Sequence, residues 1–221
     1  MGDHHLELQV AWQRHVAAPL DRFERLLGRH REKHRRYHGV DHVAWVVRHV
    51  EELVRECEHV TESGRLGASA IDVDAAIAAA FYHDAVYEPR SPALANERAS
   101  ARLARKDLVL LGWDPERADR VGSMIEATAT HLEPVDLTSA VLFDADLGVL
   151  AADPSGYGDY VRNVRAEYAH VDDADWRAGR ADVLRSFLER PAIYATEPGR
   201  RWWEQRARAN ITTELSSIAD R

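Results

Sequence analysis

This sequence has a single cysteine, no long apolar run and no recognisable targeting signal. Its one cysteine, Cys57, has no partner within the chain for a disulfide, so nothing implies an oxidising compartment. No stretch approaches the ~18–20 apolar residues that a membrane span requires. The opening segment MGDHHLELQV carries histidines and acids where a secretory signal needs a basic start and an apolar run. We therefore expect a soluble, cytoplasmic protein with no membrane partner.

Basic residues are also fewer than acidic residues. The chain has 29 Lys and Arg against 37 Asp and Glu, which gives a net charge of −8. This balance argues against nucleic acid as a partner, because binding to a phosphate backbone relies on a broad basic surface. The basic residues are almost all arginine, however, and a locally positive pocket would suit a small phosphorylated substrate.

The sequence contains no convincing run of alternating apolar and polar residues, which is the pattern that marks a half-buried strand. Helical periodicity dominates instead, which predicts an all-α protein. Hydrophobic residues make up 45% of the 221-residue chain, enough to build one core. Since there is no internal repeat, low-complexity tract or long linker, we expect a single domain over residues 1–221.

Stop and start signals predict where the helices lie. A helix follows Pro19, with a core stripe at Leu20, Phe23, Leu26 and Leu27, and a second runs from about Val40 to the Ser63-Gly64 loop. An Ala-rich third helix, capped by Asp72 or Asp74, covers Ala75 to Tyr87 and is stopped by Pro89 and Pro92. Further helices are expected at about 94–111, from Pro115, and near 137–152, 155–170, 174–190 and 200–218.

Three separated segments are rich in the residue types that bind metals: Tyr37 to His42, Phe81 to Asp84, and Phe143 to Leu147. His83 and Asp84 fall in the most apolar part of the chain, where an unpaired charge would be costly and a buried carboxylate needs a cation. Imidazole with carboxylate is a borderline ligand set that fits Mn, Fe, Ni, Co or Zn, and Mg less well.

His38 and His42 are four residues apart, so on a helix they would project from one face. One could then bind metal while the other reaches past it. A second interpretation is that His30, His34, His38 and His42 continue one four-residue spacing and form a solvated face; it applies above all to His30 and His34.

The order His, then His-Asp, then Asp on helices resembles the HD superfamily of metal-dependent phosphohydrolases. Tyr37 to His42 is similar to the Tyr-His-Asn-x-x-His segment of cyclic nucleotide phosphodiesterases, with Gly39 in place of Asn. The resemblance implies a phosphodiesterase-like multi-helix bundle. It also implies that His38 donates a proton and that His42, His83, Asp84 and Asp146 bind one or two divalent ions (Mn, Mg, Fe, Ni, Co or Zn).

The chain looks more closely like a group of predicted bacterial HD phosphohydrolases. The segments that carry this likeness are Phe81 to Tyr87, Asn96 to Ser100, and Asp144 to Leu147. It implies a metal-binding core at about 34–150, with C-terminal helices 155–218 packed on it. Two further segments typical of the group, Arg165 to Tyr168 and Glu204 to Asn210, are interpreted as structural ion pairs.

Four residues outside the ligand set have predicted supporting roles. Asp146 matches the Ala-Asp-x-Leu form of the last motif, so Asp144 is interpreted as an acceptor that orients a ligand or an arginine. His131 could serve a second metal, although a core or surface histidine is the commoner case. Glu97 and Arg90 could face the pocket or lie on a solvated loop.

The predicted reaction is hydrolysis of a small phosphorylated substrate, possibly a nucleotide. In it, metal activates water, Asp84 orients that water, His38 protonates the leaving oxygen, and Arg35 or Arg36 binds the phosphate. Two alternatives are an HD module that senses a nucleotide without turnover and a di-iron HD oxygenase. The Trp202-Trp203 pair could support a homodimer or complete a core.

Overall fold

The computed structural model describes residues 4–62 and 70–219, and within these ranges the chain forms helices and turns but no strand. The all-α fold class predicted from the sequence is confirmed. The predicted Ser63-Gly64 loop lies outside the described residues. The α-helices in chain order are α1 (His4–Ala11), α2 (Leu20–His30), α3 (Val40–Glu62), α4 (Val73–Tyr82), α5 (Ala95–Leu110), α6 (Pro115–Ala127), α7 (Leu137–Leu147), α8 (Pro154–Glu167), α9 (Asp173–Leu188) and α10 (Glu197–Ala219).

Helix starts agree with the predicted caps. The Asp72 carboxylate, rather than that of Asp74, accepts a hydrogen bond from the Ala75 N–H at 3.1 Å and begins α4. Asp114 accepts from the Arg117 N–H at 3.0 Å, and Pro115 follows as the first residue of α6. These local signals act within one turn, so the sequence alone identifies them.

The predicted extent of the third helix is wrong, because α4 ends at Tyr82 rather than Tyr87. His83 still donates its backbone N–H to the Ala79 carbonyl at 2.8 Å, but the chain then turns away. The Arg35 guanidinium reaches this turn and donates to the carbonyls of Asp84, at 2.7 Å, and Ala85, at 3.4 Å. Since an arginine satisfies these carbonyls, the helix stops well before Pro89.

Helix α4 lies at the centre of the larger hydrophobic core. Every residue from Ala75 to Tyr82 is at most 1% exposed, and the helix contacts α3, α6 and α7. Its five alanines keep the side chains short, so neighbouring helices can approach closely. A helix that is apolar on all sides is expected to be buried, as α4 is.

The C-terminal helices form a second hydrophobic cluster around Leu184, Tyr194 and Ile211. Helix α10 contacts α3, α9 and the short 3-10 turn Gly148–Ala151. Trp203 of α10 packs on both clusters, with ring centroids 5.4 Å from Tyr194. The tryptophan pair is therefore partly buried within the chain, which agrees with its interpretation as core.

The N-terminal segment closes the other side of the core and was not predicted. After α1, one π-helical turn (Trp12–Val16) buries Trp12 against Phe23 and Phe81. The Trp12 indole donates to the Ala18 carbonyl at 3.0 Å. Among the described helices, none combines the length and apolar character that crossing a membrane needs.

The interpretation of the four histidines as one solvated face is wrong for His30. Helix α2 ends at His30, and the residues up to Gly39 form turns, so the four histidines do not share one helix. His30 is 2% exposed and its Nε2 lies 3.1 Å from the Phe81 carbonyl oxygen, whereas His34 is exposed. Burial, aided by the Arg35 charge, lowers the pKa of His30 to about 3, so its imidazole stays neutral.

This buried histidine predicts a loss of stability in mild acid. In the unfolded chain His30 binds a proton near its ordinary pKa of 6.5, but in the folded chain only near pH 3. As pH falls below about 6.5, the unfolded state takes up a proton that the folded state does not, and the free energy of unfolding drops by up to about 1.4 kcal/mol per pH unit. We expect His30→Gln to flatten this slope in urea unfolding.

His34→Gln is the matched control, because His34 is exposed. The control should keep the slope of the native protein between about pH 6.5 and pH 4. Equal slopes for the native protein and His30→Gln, measured in the same metal-free buffer, would contradict a neutral buried His30.

Candidate metal centre

Three separated segments meet at one cluster of histidine and aspartate side chains. The first turn of α3 carries His42, the turn after α4 carries His83 and Asp84, and the last turn of α7 carries Asp146. The Nε2 atoms of the two histidines are 3.1 Å apart. His42 Nε2 lies 3.4 Å from an Asp84 oxygen and 3.2 Å from an Asp146 oxygen. The corresponding distances from His83 Nε2 are 3.2 Å and 3.6 Å.

These separations match the spacing of atoms around one cation. Nitrogen and oxygen ligands sit about 2.0–2.2 Å from a transition metal, which puts neighbouring ligand atoms about 3.0–3.5 Å apart. His42, His83 and Asp84 each offer one ligand atom, and these three atoms lie within 4.8 Å of one another. The donor set, imidazole nitrogen with carboxylate oxygen, therefore fits a divalent metal in both chemistry and spacing.

The hydrogen bond at the far side of the His83 ring selects its tautomer. Nδ1 of His83 lies 2.9 Å from the Ala80 carbonyl oxygen and must carry a proton to bond it. Nε2 then presents a lone pair to the cluster, as a metal ligand requires. His42 differs: its Nδ1 is buried without a hydrogen-bond partner in the described structure, and the Tyr37 ring packs beside the imidazole, with the ring centroids 4.8 Å apart.

The cluster is strongly coupled electrostatically. Burial favours neutral imidazole, but the Asp84 and Asp146 carboxylates override it and raise the pKa of His83 well above its ordinary value. The pKa of His42 is raised in the same way. Burial also opposes ionisation of the two aspartates, yet the histidines hold the pKa of each carboxyl well below its ordinary value. The carboxylates are therefore charged and need positive charge beside them.

His131 joins the cluster from the segment after α6. Its Nε2 is 2.7 Å from the second oxygen of Asp146. The residue has a left-handed backbone, φ 50°, which is costly for a residue with a side chain. Arg190 holds this conformation by donating to the carbonyls of Thr130, at 2.9 Å, and His131, at 3.1 Å. His131 is thus placed to orient Asp146.

His38 precedes α3 rather than lying on it, but its ring is still near His42, with centroids 5.7 Å apart. Its Nδ1 lies 2.6 Å from the carboxylate of Glu167, which is buried at the end of α8. Tyr87 donates its hydroxyl to the same Glu167 oxygen at 2.9 Å. With Nδ1 occupied, Nε2 is the nitrogen through which His38 can exchange a proton.

Glu167 has a role that the sequence does not indicate, because its segment predicts a structural ion pair and the carboxylate instead bonds His38. Its other oxygen accepts three backbone hydrogen bonds, from residues 36, 37 and 38, at 2.6–3.1 Å. Burial opposes ionisation, but His38 and these N–H groups lower the pKa of Glu167 to about 2. A buried glutamate far along the chain therefore fixes the segment that carries His38.

Asp144 lies apart from the cluster, and its predicted role is corrected by its contacts. Its carboxylate accepts hydrogen bonds from the Ala195 N–H at 2.7 Å, and from the N–H and hydroxyl of Thr196 at 2.8 and 2.7 Å. It ties the start of α10 to α7 and bonds neither a candidate ligand nor an arginine. Two residues before Asp146 on α7, it points elsewhere because i and i+2 do not share a helix face.

The predicted phosphate and pocket residues separate into buried and exposed ones. The Arg35 side chain is 1% exposed and donates to the carbonyls of His38, Asp84 and Ala85, so it holds the backbone. Arg36 and Arg90 are exposed, and Glu97 is half-buried in the first turn of α5. Arg36 is therefore the better placed of the two arginines to meet a phosphate.

Metal binding at this cluster should stabilise the fold. A divalent ion at a hundredfold excess over its dissociation constant adds about 2.7 kcal/mol. For a chain of this size we expect an increase of roughly 5–10 °C in the unfolding temperature on addition of Mn²⁺. Asp84→Asn removes a ligand oxygen and should abolish the increase in differential scanning fluorimetry.

Asp153→Asn is the control, because Asp153 is an exposed helix N-cap and asparagine caps equally well. It should show the increase of the native chain. The metal-centre prediction fails if Mn²⁺ shifts the Asp84→Asn variant as far as the control.

Comparison with known proteins adds no family to this geometry. No family model matches the chain, and neither the curated proteins nor the solved structures give a match. The resemblance to the HD superfamily therefore stays a prediction, supported by the residues of the cluster themselves.

Proposed function

We propose that this chain is a metal-dependent phosphohydrolase of the HD type, acting on a small phosphorylated substrate such as a nucleotide or a phosphomonoester. One observation carries the proposal: His42, His83, Asp84 and Asp146 come from three distant segments, and each histidine Nε2 lies within 3.6 Å of both carboxylates. Their order along the chain is the order of the HD motif that the sequence resembles.

The four ligand residues would hold one or two divalent ions. When bound there, such an ion supplies Lewis-acid chemistry, which makes water a better nucleophile at neutral pH and offsets charge on a phosphoryl oxygen. The chain's own contribution is to fix the ligand atoms. His83 is oriented through Ala80, and Asp146 is oriented through His131. The Asp84 side chain is 18% exposed and that of Asp146 is 13% exposed, so Asp84 is the more accessible of the two proposed carboxylate ligands and would orient the attacking water.

His38 is the proposed proton donor to the leaving oxygen. Imidazole can give up a proton near neutral pH, which suits a general acid. The Glu167 carboxylate accepts the Nδ1–H of His38, which fixes the ring and leaves Nε2 to act on the substrate. The His38 side chain is 21% exposed, so it lies where the cluster meets solvent. Arg36, exposed two residues earlier, is proposed to bind the substrate phosphate.

The His38–Glu167 contact favours turnover over mere sensing. A module that only binds a nucleotide needs no histidine whose tautomer is fixed by a buried carboxylate. An enzyme that must protonate a leaving group does need one, because the proton has to sit on the nitrogen that faces the substrate. This contact is therefore the second support for an enzymatic role.

An activity screen tests the proposal. The native protein, supplied in turn with Mn²⁺, Mg²⁺, Ni²⁺ and Fe²⁺, should release phosphate from at least one phosphomonoester or nucleotide. His83→Ala should lose both bound metal and turnover, because it removes an imidazole that lies within 3.6 Å of both proposed carboxylate ligands. The control Asp153→Asn should keep both.

The alternatives give different results in the same screen. A nucleotide that raises the unfolding temperature without product formation would point to a sensor. Oxygen consumption with Fe²⁺ and no phosphate release would point to an oxygenase. Full phosphatase activity in His83→Ala would refute the proposed site.

The role of His38 predicts a dependence on the leaving group. His38→Gln should lower kcat for phenyl phosphate about a hundredfold or more, because its weakly acidic leaving group needs a proton. The loss for nitrophenyl phosphate, whose leaving group departs unprotonated, should stay under about tenfold. Steady-state kinetics with metal content measured in parallel checks both values.

Glu167→Gln should also lower kcat for phenyl phosphate more than for nitrophenyl phosphate, but by a smaller factor than His38→Gln. The glutamine keeps an acceptor for the backbone N–H groups but bonds His38 more weakly. If His38→Gln slows both substrates equally at full metal occupancy, His38 does not protonate the leaving oxygen.

A further inference from the structure

A cleft of about 730 Å³ lies between α8, α9 and α10, away from the candidate metal centre. Its walls include Tyr157 and Val161 of α8, Trp176 and Arg177 of α9, and Ile218 of α10. Small-molecule sites usually have about 300–1,000 Å³ and mix apolar walls with a few polar groups. By size and lining, the cleft belongs to that class.

Tyr157 and Glu214 form a polar floor of the cleft, and Arg180 and Tyr160, which do not line the cleft, support it. Arg180 and Glu214, each 8% exposed, form a two-pronged ion pair at 2.9 and 3.0 Å. Tyr157 donates its hydroxyl to Glu214 at 2.5 Å, and Arg180 donates to the Tyr160 hydroxyl at 3.0 Å. Since these groups satisfy one another, the floor is held in place without a ligand and its charge is balanced.

The lining carries more positive than negative charge. Its two acids are already paired: Glu214 with Arg180, and Asp173 with Arg165 at 2.7 Å. The remaining charged residues of the lining are Arg162 and Arg177. Arg162 pairs with Asp159, but both side chains are more than half exposed, and such surface pairs exchange readily. The cleft therefore favours an anion, although the whole chain is acidic.

An apolar surface lies beside the arginines. Trp176 is half-buried in the cleft, with Val161 and Ile218 among the other lining residues. Within the chain, this indole already contacts a cation and an aromatic ring, because Arg165 lies over it at 5.3 Å and the centroid of the Tyr168 ring is 5.5 Å away. We propose that the cleft is a second binding site, for a small aromatic anion whose ring packs against Val161, Ile218 and the part of Trp176 that lines the cleft, and whose acidic group meets Arg177 and Arg162.

Gly158 helps to keep the cleft open. It lies in α8 and lines the cleft, and a Cβ there would come within 3.3 Å of the Arg162 guanidinium, the far end of a flexible side chain. A larger residue should therefore be accommodated by the helix and occupy the cleft. Leucine also favours helix over glycine, so Gly158→Leu should block the site without unfolding the protein.

Titration with anilinonaphthalene sulfonate, an aromatic anion without a phosphoester, tests the proposal independently of the proposed phosphohydrolase. We expect one molecule to bind per chain, with enhanced fluorescence. Arg177→Gln should weaken binding about fivefold, as expected for loss of one partly exposed charge contact. Gly158→Leu should abolish it. Phenylnaphthylamine, the neutral analogue, should bind more weakly than the sulfonate.

Arg185→Gln is the matched control, because Arg185 lies on the same helix, is 60% exposed and does not line the cleft. Its affinity for the sulfonate should stay within about twofold of the native value. The proposal is overturned if Gly158→Leu binds the probe as the native chain does, or if Arg177→Gln and Arg185→Gln weaken binding equally. His83→Ala should leave probe binding unchanged, so failure here and failure at the metal centre are distinguishable.

Discussion

Two carboxylates and two imidazoles are packed against one another with little of their surface exposed, and this electrostatic constraint governs the structure around them. His42 and His83 are 5% and 2% exposed, and both contact Asp84 and Asp146. Buried carboxylates are costly unless positive charge lies beside them. A proton on one imidazole balances one carboxylate, whereas a divalent ion balances both and leaves each histidine neutral, the form in which it binds metal. The arrangement is thus better suited to a metal than to protons alone.

The four groups stay together only if the backbone around them is held in place. Two arginines do this by donating hydrogen bonds to backbone carbonyls. Arg35 donates to the carbonyls that follow α4, which ends the helix where His83 and Asp84 must turn inward. Arg190 does the same for the left-handed His131. In both places a buried or half-buried guanidinium replaces helical hydrogen bonding. The abundance of arginine in an acidic chain therefore has a structural reason as well as the proposed role in binding phosphate.

The sequence predicts what depends on neighbours along the chain. The caps at Asp72 and Asp114 begin their helices as expected, and the motif order selected Asp146, which contacts both histidines. The sequence could not predict that α4 ends at Tyr82, because Arg35, which ends this helix, lies almost fifty residues earlier in the chain. Nor could it assign Glu167, whose bonds to the His38 segment span about 130 residues. Long-range hydrogen bonds leave no periodicity in the sequence.

Helix α8 contributes to the candidate site through Glu167, which bonds His38. Glu167 on α8 and Asp144 on α7 are both buried carboxylates, yet their environments differ. The imidazole of His38 and three N–H groups lower the pKa of Glu167 to about 2. Asp144 receives only uncharged donors, from Ala195 and Thr196, and there burial prevails and raises its pKa. A charged carboxylate bonds the Nδ1–H of an imidazole more strongly than a neutral acceptor does. Glu167 therefore takes part in the proposed chemistry through His38, whereas Asp144 connects α10 with α7.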